Sequence, residues 1–311
     1  MNIFTSIPDL AQVHAPVHLA IGVFDGVHRG HQAVIANAVA SAQEHGGEAV
    51  LVTFEPHPIQ ILAPDKAPRT LTSHAHQMRL VAEQGVTQTL VIPFDKAFSR
   101  RSGEEFVGLL VNNVAQIISI HVGEDWCFGH QRSGTVDLLE EQGAKHGFHV
   151  HAVPHVAWRD ETVSSTLVRR AIQDGNLARA RDLLGRDFTL SGVVQQGKQL
   201  ARGFGFPTAN IPLGNLQLPP FGVYVSRVTI ADQCYGAIVN LGVRPTLDNA
   251  GAMPLLEVHL FGFEGDLYEL SLEVPLLKHL RAEQRFEDLE ALKTQIANDM
   301  TTAKAWLASS A

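Results

Sequence analysis

The chain has 311 residues, 45% hydrophobic and 18% charged, with a formal net charge of −8. That length suits two domains. It holds no apolar run of about 18 residues, which argues against a membrane span, and its start, Met1-Asn2-Ile3-Phe4, lacks the basic-then-apolar pattern of a secretion signal. An acidic balance without a basic stripe argues against a nucleic-acid partner, and Cys127 and Cys234, with no CxxC spacing, read as free thiols of a cytoplasmic protein.

Taken in chain order, residues 17–23 form a short apolar run ending near glycine, and Val34, Ile35, Ala38, Val39 and Ala42 follow at helical spacing. Residues 49–54 read as a buried strand, 73–84 as a helix ended by Gly85, 89–94 as a strand, 103–114 as a helix and 117–122 as a strand. A helix over 136–145, a strand over 148–153 and a helix over 166–172 complete the first part. Continuous apolar strands separated by helices predict a parallel α/β sheet covered on both faces. After about residue 185 the rhythm changes: residues 187–194, 222–230, 234–239, 255–261 and 267–274 read as strands with short turns between them. That spacing predicts a small antiparallel barrel, followed by a terminal helix with Phe286, Leu289, Leu292 and Ile296 on one face. Residues 176–186 read as a helical linker, so the expected domains are 1–184 and 185–311.

The 16 histidines suggest no metal centre: His149 and His151 share strand spacing, but no carboxylate or cysteine is placed to complete a site. The sharpest local signal is Gly22-Val23-Phe24-Asp25-Gly26-Val27-His28-Arg29-Gly30-His31, which runs from the first strand into the first helix. A glycine-rich turn there lets backbone N–H groups approach a phosphate, beyond the carboxyl end of a parallel strand where ligands of such sheets bind. His28 and His31 lie three apart, so both can face one ligand and stabilise charge on a phosphate in transfer. The bland alternative is a strand–helix turn with two surface histidines. Ser164, Ser165 and Thr166, with Arg169 one helical turn on, suit a second polyphosphate contact, or supply an ordinary helix N-cap.

The second strong string is residues 192–210, whose loop holds Gly197, Arg202 and Gly205 and ends in Phe206-Pro207-Thr208-Ala209-Asn210. Such a loop can fold over phosphates. Thr208 and Asn210, two apart on an extended segment, offer two hard oxygen ligands to one side, which with ATP phosphates suit Mg²⁺. Glu257 sits inside an apolar strand, where a carboxylate is costly without a task or a partner.

These strings resemble the prokaryotic bifunctional riboflavin kinase/FAD synthetases, an HxGH nucleotidyltransferase joined to a riboflavin kinase barrel. The resemblance rests on the turn at 22–31, on Thr53-Phe54-Glu55-Pro56-His57-Pro58, on Gly123-Glu124-Asp125-Trp126-Cys127-Phe128-Gly129, on 192–210, on Asn240-Leu241-Gly242-Val243-Arg244-Pro245-Thr246 and on Lys278-His279-Leu280-Arg281. It implies a six-stranded antiparallel barrel, Mg²⁺, and ATP as co-substrate with riboflavin and FMN as substrates. It further implies that His57 and the 22–31 turn, with Gly22, Phe24, Asp25 and Gly30, face nucleotide phosphates. Asp125, Phe128 and Arg281 would face flavin, and Glu257 would be the base on the ribityl hydroxyl. Trp126-Cys127 departs from the family's usual arginine-containing string, and Ala201 stands in place of a glycine. Two alternatives stay open on the residues. Only one of the two activities is live, the kinase before the adenylyltransferase, or the chain is a flavin- or nucleotide-binding regulator; the latter's mark would be loss of His28, His31, Thr208, Asn210 or Glu257, all of which are present.

Overall fold

A computed structural model describes residues 1–195, 208–244 and 253–310. The chain divides into two compact units, Met1–Pro68 with Gln77–Ser165, and Arg69–His76 with Thr166–Ala311.

The first unit holds strands β1 (Asn2–Phe4), β2 (Val17–Ile21), β3 (Glu48–Glu55), β4 (Gln88–Pro93), β5 (Ile117–Gly123) and β6 (His149–Val153) in one sheet of order β1-β4-β3-β2-β5-β6. Every pairing in it is parallel. Helices α1 (Arg29–His45), α2 (Pro58–Leu62), α3 (His74–Glu83), α4 (Gly103–Asn112) and α5 (Val136–His146) fall between the strands, and a two-residue ladder, β7 (Ala157–Trp158) with β8 (Glu161–Thr162), ends the unit. All five residues of β2 are buried, because successive side chains enter two different cores. Leu19 and Ile21 join Val52, Ile120, Phe106 and Leu110 on one face. Ala20 joins Leu51, Ile35 and Ala38 on the other. The order reverses at β2, which has β3 on one side and β5 on the other, and in open parallel sheets ligands bind at such a switch point, beyond the carboxyl ends of the strands. Local chemistry ends the helices: Ser102 and Glu105 form a capping box at α4, and Gly147 closes α5 with a left-handed φ of 81°.

One polar seam crosses the buried sheet. His18 Nδ1 and His121 Nε2 each lie 2.7 Å from Ser119 Oγ, and His18 Nε2 lies 3.3 Å from the Gly46 carbonyl. His121 stacks on His151 at 4.5 Å, and among the described residues its Nδ1 has no hydrogen-bond partner. Burial first, then the neighbouring His151 and His18, push the His121 imidazole down to about 3. Burial likewise holds His18 below its ordinary value.

In the second unit α6 (Ser165–Gln173) and α7 (Leu177–Leu184) precede β9 (Thr189–Val193), β10 (Ala209–Pro212), β11 (Gly222–Ile230), β12 (Gln233–Arg244), β13 (Met253–Leu260), β14 (Ser271–Pro275), β15 (Lys278–Ala282) and the terminal α8 (Leu289–Ser309). An antiparallel sheet of order β10-β13-β12-β11-β15 is joined to the β9–β14 ladder by a bridge between Gln195 and Asn210. The segment 69–76 belongs here because Ser73 Oγ lies 2.8 Å from Ser191 Oγ, and His76 Nε2 lies 3.5 Å from Glu273. Antiparallel strands and a terminal helix agree with the expected layout; the boundaries differ. The strand expected at 267–274 starts at Ser271, since the Asp266 carboxylate accepts from the Tyr268 N–H and Leu270 N–H donates to the Leu267 carbonyl in a turn. β15 was not anticipated, because Lys278-His279-Leu280-Arg281 has no apolar alternation; pairing with β11 makes it a strand.

The His121 seam predicts a pH dependence. The folded state holds His121 neutral, while the unfolded chain protonates it near 6.5. Stability is therefore intact above pH 6.5 and falls toward pH 3, by at most about 1.4 kcal/mol per pH unit for one such group. Urea midpoints at pH 7.5, 6.0 and 5.0 should drop in this order, and His121→Leu should flatten the drop; an unchanged slope in the variant would exclude His121 as its source.

Candidate active sites

The turn after β2 is built from left-handed residues: Phe24, Gly26 and Val27 have φ of 55°, 83° and 39°. For a β-branched valine that is strained, and surrounding side chains hold it. Thr53 Oγ1 (3.0 Å) and Gln77 Nε2 (2.8 Å) both donate to the Val23 carbonyl. Gln32 Nε2 donates to Val27 O (2.8 Å) and Ser165 Oγ to Asp25 O (3.0 Å). His28 caps α1, its Nδ1 accepting from the His31 N–H at 3.3 Å. The two imidazoles stack with centroids 3.6 Å apart, and the edge of Phe24 meets His31 at 5.3 Å. A Cβ on Gly30 would lie 3.2 Å from the His28 ring, and one on Gly22 3.1 Å from the Phe24 ring. Glycine at both positions is thus what lets the rings pack on the backbone. Asp25 and His28 are 6% and 5% exposed.

Of the second expected phosphate contact, Ser164 and Ser165 belong to the first unit, and Thr166 and Arg169 to the second. There Arg169 Nε donates to the Arg69 carbonyl at 2.7 Å. His57 caps α2, its Nδ1 accepting from the Ile59 N–H.

After β5, the exposed Asp125 carboxylate lies 3.6 Å from His155 Nε2. Phe128 is buried: Trp126 stacks on it at 4.5 Å, Phe106 meets its edge at 5.7 Å, and a Cβ on Gly134 would lie 2.6 Å from its ring. Trp126 is only half-buried. With Phe54, Phe94 and Phe98 these rings form a connected aromatic wall around the carboxyl ends of β3, β4 and β5. Sequence reasoning found Phe128 and missed the wall, because its members are scattered from residue 54 to residue 128.

In the second unit one cross-strand row assembles the site. Asn210 on β10 pairs with Glu257 on β13, Glu257 with Asn240 on β12, Asn240 with Val223 on β11, and Val223 with Arg281 on β15. Residues paired across strands share a face. That face borders a cavity of about 600 Å³ lined by Thr208, Asn240, Glu257, His259 and Arg281 on the polar side and by Val223, Ile238, Phe286, Leu289, Leu292 and Ile296 on the apolar side. Asn240 Nδ2 donates to Glu257 Oε2 at 3.1 Å, so the strand carboxylate has a partner. Arg281 is held by Asp299, with Nε and Nη2 at 2.9 and 2.8 Å from Oδ2. Asn240, His259 and Asp299 were not among the expected site residues; they show themselves only once register is known. Gly197, Arg202 and Gly205 lie outside the described residues. Among the described residues no group of three or more His, Cys, Asp or Glu side chains is placed to hold a metal, and no helix is long and apolar enough to cross a membrane.

A parallel-sheet unit with a glycine-rich turn opening its first helix, followed by an antiparallel unit with an acid-bearing cavity, is the layout of a two-site phosphate-group transferase. Residues 10–167 match the FAD synthetase family and residues 184–307 the riboflavin kinase family. The chain belongs to the bifunctional riboflavin kinase/FMN adenylyltransferases. It is 40% identical over 311 residues to that protein of Pseudomonas fluorescens, covering 100% of this chain and 99% of the relative. It is 39% identical over 287 residues to that of Escherichia coli K12, covering 92% and 91%. A solved structure described as a macrolide-efflux protein from Streptococcus pneumoniae is also similar, with a TM-score of 0.79 and 29% identity over 94% of this chain and 95% of that one.

Gly30 and Gly108 give opposite predictions. Gly108 sits inside α4 with open space where a Cβ would go, so Gly108→Ala should stabilise by about 0.5–1 kcal/mol. Gly30→Ala pushes into the His28 ring and should destabilise by about 1 kcal/mol or more. Urea unfolding of both variants checks the pair; a neutral Gly30→Ala would mean that the imidazole packing is loose.

Proposed function

We infer that this chain makes FAD from riboflavin in two ATP-dependent steps on separate sites. Residues 185–311 transfer the γ-phosphoryl of ATP to riboflavin, giving FMN and ADP; residues 1–184 transfer AMP from a second ATP to FMN, giving FAD and pyrophosphate. The two family matches at 10–167 and 184–307 support this division, and the observation that carries the chemistry is the row Asn210–Glu257–Asn240 beside the cavity.

In the kinase site Glu257 takes the proton of the ribityl 5′-hydroxyl as its oxygen bonds to the γ-phosphorus and the bond to ADP breaks. Asn240 orients that carboxylate through the 3.1 Å bond. Thr208 and Asn210 fit a magnesium ion accompanying ATP. A hydroxyl and an amide oxygen are hard donors, and Asn210 Nδ2 is turned to the Thr208 carbonyl at 3.4 Å, which leaves the amide oxygen to a ligand. Bound there, the ion would offset the charge of the phosphates.

In the adenylylation site an FMN phosphate oxygen attacks the α-phosphorus of ATP as pyrophosphate leaves. That oxygen is already ionised, so no strong base is needed. His28 and His31, stacked at the start of α1, donate to the charge that builds on the phosphorus oxygens. Gly22, Phe24, Asp25 and Gly30 shape the cradle, with His57, Ser164 and Ser165 as further phosphate contacts. Asp125 and the Trp126–Phe128 pair form the flavin side. Two free thiols, Cys127 and Cys234, support a reducing, cytoplasmic setting.

Reciprocal variants test this. His31→Ala should cut FAD formation from FMN by about 10²–10³ and leave riboflavin phosphorylation within about twofold. Glu257→Gln should cut FMN formation by about 10²–10⁴ and leave adenylylation of added FMN intact. Chromatographic separation of flavins reads both reactions; equal loss of both activities in either variant would overturn the assignment.

A further inference from the structure

Along α8, Leu289, Leu292, Ile296 and Asp299 form one stripe bordering the second-unit cavity. The spacing of three, four and three residues keeps them on one helix face. Leu289 is 44% exposed, so this end of the stripe has little protein packed on it. The fixed end is Asp299, one of only two buried residues of the helix, with a side chain 8% exposed. Its Oδ2 accepts from Arg281 Nε and Nη2, at 2.9 and 2.8 Å, and its Oδ1 accepts from Gln295 Nε2 at 2.8 Å. Arg281 Nη1 in turn donates to the Ala282 carbonyl at 3.1 Å, and its guanidinium lies 5.8 Å from the Phe286 ring centroid. Most of the guanidinium's donors and both carboxylate oxygens are therefore committed within the protein.

A buried ion pair adds little net stability against an apolar pair of similar size, but losing one partner is costly. Its use here is geometric. We propose that Asp299, acting through Arg281, is a positioning residue for the kinase reaction: the pair latches the apolar stripe of α8 to β15, so that the wall against which the flavin ring packs stands formed before riboflavin arrives. This rests on the reading of the cavity as the riboflavin site. It departs from the expectation that Arg281 itself meets the flavin. Preformed walls raise affinity by removing the ordering cost of binding. Neither Glu257 nor Asn240 is a hydrogen-bond partner of the Asp299–Arg281 pair, whose other bonds go to Gln295 and Ala282, so the effect falls on riboflavin binding rather than on turnover.

The test is a double-mutant cycle on the full chain, with riboflavin Kd read from flavin fluorescence and steady-state KM and kcat for both substrates. Asp299→Asn and Arg281→Met should each raise riboflavin Kd and KM by about tenfold or more, with kcat at saturation within about threefold and the KM for ATP unchanged. The double variant should bind no more weakly than the weaker single one, because the two residues act as a unit. Riboflavin Kd within twofold of the unmodified protein in Asp299→Asn would overturn the proposal. So would additive losses in the double variant, which would make Arg281 an independent flavin contact. Where Asp299→Asn lowers the thermal midpoint as well, Asp299→Leu combined with Arg281→Met replaces the pair by apolar side chains. Recovery of both the midpoint and riboflavin binding supports the latch; a recovered midpoint with riboflavin binding still weak would make Arg281 a flavin contact and refute it. Ile296→Trp fills the cavity and should abolish riboflavin binding, and normal binding in that variant would refute the reading of the cavity itself, separately from the latch.

Discussion

The two-residue pleat of a β-strand is the constraint from which both sites follow. On β13 it sends Leu256, Val258 and Leu260 into the core, and places Leu255, Glu257 and His259 on the opposite face. Cross-strand pairing then lines Glu257 up with Asn210 on one side and Asn240 on the other. A slip of one residue would bury the carboxylate and turn a leucine to the cavity. The side chains proposed to carry the kinase chemistry are thus brought together by register before any loop is considered. In the first unit the same alternation on β2 fills two cores at once, which commits the whole strand to burial and leaves its carboxyl end as the place where the chain can meet a ligand.

What lies at that carboxyl end is a turn held by other side chains. Four hydrogen bonds, from Thr53, Gln77, Gln32 and Ser165, converge on its carbonyls. They come from β3, α3, α1 and the start of α6, so several elements share the work of holding Phe24 and Val27 in the left-handed region. Such preorganisation is what a phosphate-transfer site needs, since donors that are already placed need not reorganise as charge develops.

The sequence makes legible those features whose signal is local. The β2–turn–α1 string, the Thr208/Asn210 pair and the acid inside an apolar strand each carry their meaning within a few residues, and the change from helix-spaced to hairpin-spaced strands separates the two architectures. Features made by register or by distant contacts stayed hidden. Asn240 reads as one polar residue in an apolar run until pairing sets it opposite Glu257. Asp299 looks like a solvated helix residue until β15 brings Arg281 to it. Phe128 presents an aromatic face in sequence, whereas in the fold that ring is packed beneath Trp126 and beside Phe106. The buried His18–Ser119–His121 seam spans residues 18 to 121, and no local pattern announces it.

The central claim is that each chemistry resides wholly in its own set of side chains, with FMN as the product of one and the substrate of the other. The most direct measurement is complementation: Glu257→Gln and His31→Ala proteins, each alone and then mixed, incubated with riboflavin, ATP and Mg²⁺. Each variant alone should make little FAD, the first for want of FMN and the second for want of adenylylation, and the mixture should make FAD at a rate near that expected for half the active sites of each kind. A mixture that accumulates FMN without FAD, or makes neither, would contradict the account.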